Sequence, residues 1–401
     1  MNKSFLILSL VFSFFVNNCF AQDQTLNWLD AHAVTLENNK NYLPKLVSEL
    51  EGNAICGLGE ASHGTHEFFI EKARIVKYLI SNANYKAIGF EFGYTKMAVI
   101  NSYLQTGKGD LKKLMADLRL FNTVELFDLF QSIKTYNDSQ TNSNKVTLFG
   151  FDSDFYKPDN DASARYCIDY LTAHPALYNN TSKAVLALSK VTNPTLYYLT
   201  DLPEAETAEI TALNKWAAKT PNTAPDFSRF KKHLSLLYQG TLLSNPLARD
   251  EFMATNIADF REEHNVKTII WGHNVHLAKD TTMAECKGMG YYIKQTYQKG
   301  YYAIAFDTFK GDVTVIDGEA LVPHNFEGTP NSFSALFAKA KYPEFFISLS
   351  NSAGNPLFNV NNKITNLFAN WGNMRALPIR AGIDFNAVVF ISQTTASMPL
   401  K

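Results

Sequence analysis

The chain has 401 residues, a near-balanced charge of −1, and 46% hydrophobic residues. Such a chain can bury a large core, and its charge excludes the basic stripe of a nucleic-acid binder and the acidic tail of a cation store. Most of the 30 Phe and 19 Tyr residues must be core, but some of them can line a pocket for an apolar ligand.

The amino terminus reads as a secretory signal. Lys3 supplies the positive start, Phe5 to Val16 the apolar run, and Cys19-Phe20-Ala21 a cleavage site with small residues. The run is too short to span a bilayer, and no later stretch is longer. The expected mature chain therefore begins near Gln22, outside the cytoplasm or in a periplasm, with no stable membrane association. Residues 22–401 are long for one domain, so two compact units or one domain with a large insertion would fit, and the expectation is one domain with an insertion. Cys56, Cys167 and Cys286 then remain, an odd set without disulfide-framework or zinc spacing. One pair could still oxidise in such a compartment.

Five short apolar runs each end in a polar residue. They are Ala54 to Gly59 before Glu60, Ala87 to Phe90 before Glu91, Val146 to Phe151 before Asp152, Thr268 to Gly272 before His273, and Tyr302 to Phe306 before Asp307. Continuous apolar runs suit strands buried on both faces of a parallel sheet. Phe69, Ala73, Val76 and Ile80 recur at helical spacing between the first two, with Thr65 as a candidate cap and Glu67 in the first turn. That makes a βαβ unit with parallel strands. Met97, Ile100 and Leu104 mark a further helix stopped near Gly107, and Phe127, Phe130 and Ile133 another. The fold class is α/β, a mostly parallel sheet flanked by helices.

From about 161 to 263 the strand-like runs stop. Helical patterns at Ala164–Leu171, Lys183–Leu188, Glu204–Ala218 and Phe227–Arg261, the last interrupted by Pro246, read as an insertion that could cap the site and set substrate choice. Strand-like runs return at Glu344–Leu349 and Asn386–Ser392.

Ligands of open parallel sheets bind beyond the carboxyl ends of the strands. Here those ends carry Glu60, His63, Glu91, Asp152, His273 and His276. Imidazole and carboxylate groups gathered on one edge can shift each other's proton affinity and move protons. His63, in the strand-to-helix loop, suits a general base at neutral pH. Ser62 is a poor nucleophile candidate, because Glu60 occupies a position where a nucleophile elbow needs glycine. The same histidines and glutamates could instead hold a metal, although the H-E-x-x-H spacing is absent. A non-catalytic binding protein for an apolar ligand is a third reading. His66, His174, His233, His264 and His324 lack a comparable context and read as surface or helix residues.

Gly59-Glu60-Ala61-Ser62-His63-Gly64-Thr65-His66-Glu67-Phe68-Phe69 resembles the opening motif of the erythromycin esterase family. Phe90-Glu91-Phe92, Gly150-Phe151-Asp152, Arg249-Asp250-Glu251-Phe252-Met253, Trp271-Gly272-His273-Asn274-Val275-His276 and Met289-Gly290 are similar to further blocks of that family, in the same order. The resemblance implies water-mediated hydrolysis of an ester or lactone, typically of a macrolide ring, without a metal or other cofactor. It puts the general base at His63, supporting carboxylates at Glu60 and Glu91, and the second histidine pair, His273 and His276, near the reacting carbonyl. Asp152 and Arg249 join as substrate-binding candidates. A basic residue on the first helix of some macrolide esterases falls on Lys72, with Arg74 as the alternative. Lys and Arg are not equivalent at a bidentate site. The partner implied is a small-molecule ester or lactone. The residues do not specify an oligomeric state.

Overall fold

The computed structural model describes residues 23–37, 39–153, 157–221, 224–245, 247–351, 354–372 and 375–401. The expected signal segment lies outside them. No helix among the described residues is long and apolar enough to cross a membrane.

The strands, in chain order, are β1 (Val34–Thr35), β2 (Ile55–Leu58), β3 (Tyr85–Gly93), β4 (Thr147–Asp152), β5 (Lys267–Trp271), β6 (Tyr301–Asp317), β7 (Ala320–Glu327), β8 (Glu344–Ser348), β9 (Asn361–Asn366), β10 (Arg375–Arg380) and β11 (Ala387–Thr394). The main sheet runs β1-β8-β11-β6-β2-β5-β3-β4, with β7 hydrogen-bonded to β6 beside this path. From β11 to β4 every pairing is parallel. β8, β1 and β7 join antiparallel.

All five apolar runs are strands, and they form the contiguous centre β6-β2-β5-β3-β4. Every residue of β2 is buried, because both faces of the sheet are covered. One face packs on the helix His66–Asn82 through Phe68 and through Phe69, Ala73, Val76 and Ile80, the four residues whose spacing marks it in the sequence. The other packs on the helices Ala248–His264 and Met289–Tyr297 through Met253, Ile257, Met289 and Ile293. β2 and β3 are parallel as expected, but they are not neighbours. β5, almost two hundred residues later, lies between them.

Met97, Ile100 and Leu104 are buried in the helix Tyr94–Thr106, which Gly107 closes with a left-handed φ of 71°. Phe130 and Ile133 are buried in Val124–Asp138, capped by the Thr123 side chain. Thr65 sits at the N-cap of His66–Asn82 but makes no side-chain cap. Its hydroxyl bonds that of Ser62 instead.

The helical segment divides in two. Lys157–Ala173, Thr181–Val191, Glu204–Lys219 and Pro225–Thr241 bury a core of their own, with Cys167, Leu171, Phe227, Phe230 and Leu237 inside. The helix Ala248–His264 belongs to the sheet's core instead. Pro246, expected to interrupt the last helical pattern, lies outside the described residues.

Two hairpins are absent from the sequence reading. β6 continues well past Asp307 to pair with β7, and β9 pairs with β10 in a separate two-stranded sheet. β7 is mostly exposed and offers no apolar run to recognise. Cys56, Cys167 and Cys286 are all free thiols in this structure, so the possible oxidised pair is not formed.

Candidate active site

His63 sits in the loop between β2 and the helix His66–Asn82, and the long strand β6 pins that loop. Thr314 N donates to Gly64 O at 2.9 Å. A Cβ on Gly64 would lie 1.7 Å from Thr314 O, so only glycine permits this approach. His63 Nδ1 lies 2.7 Å from Glu60 Oε1. With a carboxylate there, Nδ1 carries the proton and Nε2 keeps a free lone pair.

Glu60 is fully buried and its other oxygen is doubly held. Lys72 Nζ donates to Oε2 at 2.7 Å, and Trp271 Nε1 donates to it at 3.0 Å. Burial pushes the Glu60 carboxyl up, but Lys72 and His63 outweigh it and hold it below its ordinary value. Burial pulls the Lys72 ammonium down to about 8, against the attraction of Glu60. Lys72 Nζ also lies 4.2 Å above the Trp271 ring.

A second set of charges faces the same cavity. Glu91 Oε2 accepts from the His273 backbone N–H at 2.7 Å. Its Oε1 lies 3.1 Å from Arg249 Nη2 and 3.3 Å from His276 Nε2. Arg249 also grips Asp152, with Nη2 donating at 2.6 Å and Nε at 3.2 Å. His276 Nδ1 lies 2.8 Å from Asp250 Oδ1, which also accepts from Met289 N at 2.8 Å. Asp250 thus faces Nδ1 of His276 as Glu60 faces Nδ1 of His63.

The two downstream histidines are shifted in opposite directions. Burial pulls His276 down, but Glu91 and Asp250 outweigh it and raise its proton affinity. Burial and the neighbouring His63 push His273 down to about 3, so it is neutral at working pH. His273 is spent on the backbone: Nδ1 accepts from Val275 N at 3.3 Å, and Nε2 lies 3.3 Å from Ala61 O and 3.4 Å from Leu367 O. Burial opposes the Glu91 charge, yet His276, His63 and Arg249 hold its carboxyl well below the usual range.

The cavity has a volume of about 710 Å³ and is lined by His63, Glu91, Asp152, Arg249, His273 and His276. Its apolar wall includes Leu118, Phe121 and Phe368. The Phe121 ring meets His63 edge-on with centroids 5.6 Å apart, and Phe368 stacks on His273 at 6.0 Å.

Seven of the nine residues singled out from the sequence converge, six on the cavity and Glu60 directly behind His63. Lys72 and Arg74 do not line it. Lys72 is fully buried on the far side of Glu60 because that carboxylate needs a counter-charge there, and Arg74 pairs with Glu71. Glu91 bonds the His276 and Arg249 side, so among the described residues Glu60 is the carboxylate that hydrogen-bonds His63. His66, read as a bland helix residue, bonds Glu125 Oε1 at 2.6 Å. Asp250 was missed as a site residue, although it stands beside Arg249 in the same block. Phe121 and Phe368 carried no signal at all. Of the helical segment, the described lining residues are Leu247, Arg249 and Asp250, and none belongs to the helices between 157 and 241. Among the described residues no three His, Cys, Asp or Glu side chains are grouped to hold a metal ion.

The family profile described as erythromycin esterase matches residues 80–394, more than half of the chain. The chain belongs to the erythromycin esterase family. Membership supports an esterase or hydrolase acting on a small molecule. The match takes in Glu91, Asp152, Arg249, His273 and His276 and begins after the Glu60–His63 loop. The chain is 24% identical to a putative hydrolase, YbfO, of Bacillus subtilis (strain 168) over 394 residues, covering 86% of this chain and 87% of that one. It is 22% identical to an erythromycin esterase type II of Escherichia coli, covering 68% of this chain and 73% of that one. Among solved structures, a Bacillus cereus protein superposes with a TM-score of 0.81 at 26% identity, covering 95% of this chain and 99% of that one. A mutant of the erythromycin esterase EreC, in its open conformation, shares the fold with a TM-score of 0.70 at 16% identity, covering 91% of this chain and 97% of that one.

Proposed function

We propose that this erythromycin esterase family member hydrolyses an ester or lactone with water activated by His63. The observation that carries the reading is the Lys72–Glu60–His63 chain, which occupies Nδ1 of His63 at the wall of the cavity and, among the described residues, leaves Nε2 without a hydrogen-bond partner. Nε2 takes a proton from water, and the hydroxide adds to the substrate carbonyl. Glu60 holds the tautomer and stabilises the imidazolium that forms, as a carboxylate does in a triad. Arg249, partly open to the cavity, faces the developing oxyanion. His276, whose proton is favoured by Glu91 and Asp250, returns a proton to the leaving alkoxide. His273 holds the loop in place and exchanges no proton.

The apolar wall and the cavity size suit a bulky, largely apolar substrate such as a macrolide or another lactone. The reading needs no metal, so activity is expected to survive chelation and dialysis. A leader ending at Ala21 would deliver the enzyme outside the cytoplasm, which amino-terminal sequencing of secreted material tests. The decisive experiment is a mass-spectrometric screen of macrolides, lactones and aryl esters. Gain of one water by a substrate with native protein, and not with His63→Ala, is the expected result. Binding without turnover across the screen would favour a sequestering protein instead.

A further inference from the structure

A second cavity, of about 760 Å³, opens at the opposite edge of the sheet from His63. Asn53 before β2, Tyr301 at the start of β6 and Asn386 before β11 all line it, which places it at the amino ends of these parallel strands. Lys279, Lys294 and Lys299 converge on it.

Lys279 is only 8% exposed, so its ammonium has left most of its water behind. Nζ donates to Asn386 Oδ1 at 2.7 Å, one acceptor for a group with three donors. Among the described residues, none of the three lysines has a carboxylate at ion-pair distance. Burial and the charge of Lys294 push the Lys279 ammonium down to about 8, against a pull from Asp384. Two glutamates share the wall. Glu49 accepts from the Tyr302 hydroxyl, and Glu51 is exposed. Gln298, also in the lining, holds an unfavourable backbone with φ 49° and ψ −114°. Strain of this kind persists only where the surroundings impose it.

We propose that this cavity binds a small multivalent oxyanion, a phosphate or a polycarboxylate, held by Lys279, Lys294 and Lys299. Lysine serves such groups as a compact charge with rotatable donors. The anion would accept from the remaining Lys279 donors and offset the repulsion between Lys279 and Lys294. The site is separate from the hydrolytic one and does not depend on the reaction assigned there.

Calorimetric titration of the full-length protein with inorganic phosphate, and separately with citrate, at constant ionic strength tests this. The expected result is saturable one-to-one binding of at least one anion with a Kd of about 1 mM or tighter. Which anion binds distinguishes phosphate from carboxylate chemistry. Affinity should fall about tenfold or more in Lys279→Met and in Lys294→Gln, and stay unchanged in His63→Ala. Folding is checked by circular dichroism. If Lys279→Met does not fold, Lys294→Gln and Lys299→Gln, at more exposed positions, carry the test. Absence of binding by both anions, or native affinity in the Lys294 and Lys299 variants, would overturn the proposal.

Discussion

Glu60 meets His63 through one carboxylate oxygen at 2.7 Å and gives its other oxygen to Lys72, also at 2.7 Å. The base of the proposed reaction is thus tied to a cation that never reaches the cavity. This arrangement fixes the His63 tautomer and explains why a lysine is tolerated deep in the core.

His63→Ala should leave the fold intact, because Glu60 keeps Lys72 and Trp271. General-base catalysis contributes about 10²–10⁴-fold, and kcat on a verified ester should fall by at least that much. Native turnover by a folded variant would sink the proposed mechanism.

Lys72→Met should damage stability strongly. It leaves the buried Glu60 carboxylate without its counter-charge, with only the Trp271 N–H on that oxygen, a loss of about 3–5 kcal/mol. Urea unfolding measures it. Adding Glu60→Gln should recover part of the loss, since the stranded charge is removed. If the double variant were less stable than the single one by the full cost of a second lesion, the pair would not be coupled.

Glu91→Gln should move the alkaline limb of activity to lower pH. His276 has its proton affinity raised, against burial, by Glu91 and then Asp250. The protonated form therefore persists above the ordinary value of about 6.5 and is lost as pH rises through the shifted one. Removing the Glu91 charge shrinks that shift. A pH–kcat profile checks this, and an unmoved alkaline limb would exclude His276 as the acid.

Phe368→Ala should raise KM for bulky apolar substrates while changing kcat little. Phe368 is 43% exposed and stacks on His273 in the cavity wall, so its loss removes contact area without opening the core. Steady-state kinetics on a large and a small ester distinguish the two parameters. An equal drop in kcat for both would give Phe368 a role beyond binding.

Asp307 should make the fold less stable as pH rises toward about 7. Burial raises its carboxyl to about 7, despite donors from Ser334, Thr308 and Thr365. A carboxyl whose folded value is raised stabilises the native state fully below its unfolded value of about 4, and that contribution is gone once pH passes the folded one. Melting curves of native protein and Asp307→Asn from about pH 5 to about pH 8.5 should diverge, the variant gaining on the native chain up to about pH 7 and holding that gain above it. A constant offset across the whole range would contradict the assignment.

Much of this molecule was legible in the residues alone. Continuous apolar runs announce strands covered on both faces, and each of the five was found. Four of the five polar residues ending those runs gather at one edge, because parallel strands all point the same way, whereas Asp307 lies within β6 and bonds Ser334 and Thr365 instead. His63, Glu91, Asp152, His273 and His276 therefore reach one cavity, with Glu60 behind. Tertiary structure alone decided their pairing. The position of β5 between β2 and β3 brings Trp271 under Glu60 and the His273 backbone onto Glu91, contacts between segments some two hundred residues apart. Which carboxylate serves which histidine depends on sub-ångström placement that no spacing encodes. The same is true of Lys72: helical periodicity puts it on the first helix, but only packing shows that its ammonium points into the core at Glu60. The walls from Phe121 and Phe368, and the β6–β7 hairpin that pins the His63 loop, come from segments with weak local patterns. Their place is set by what they pack against, not by what they are.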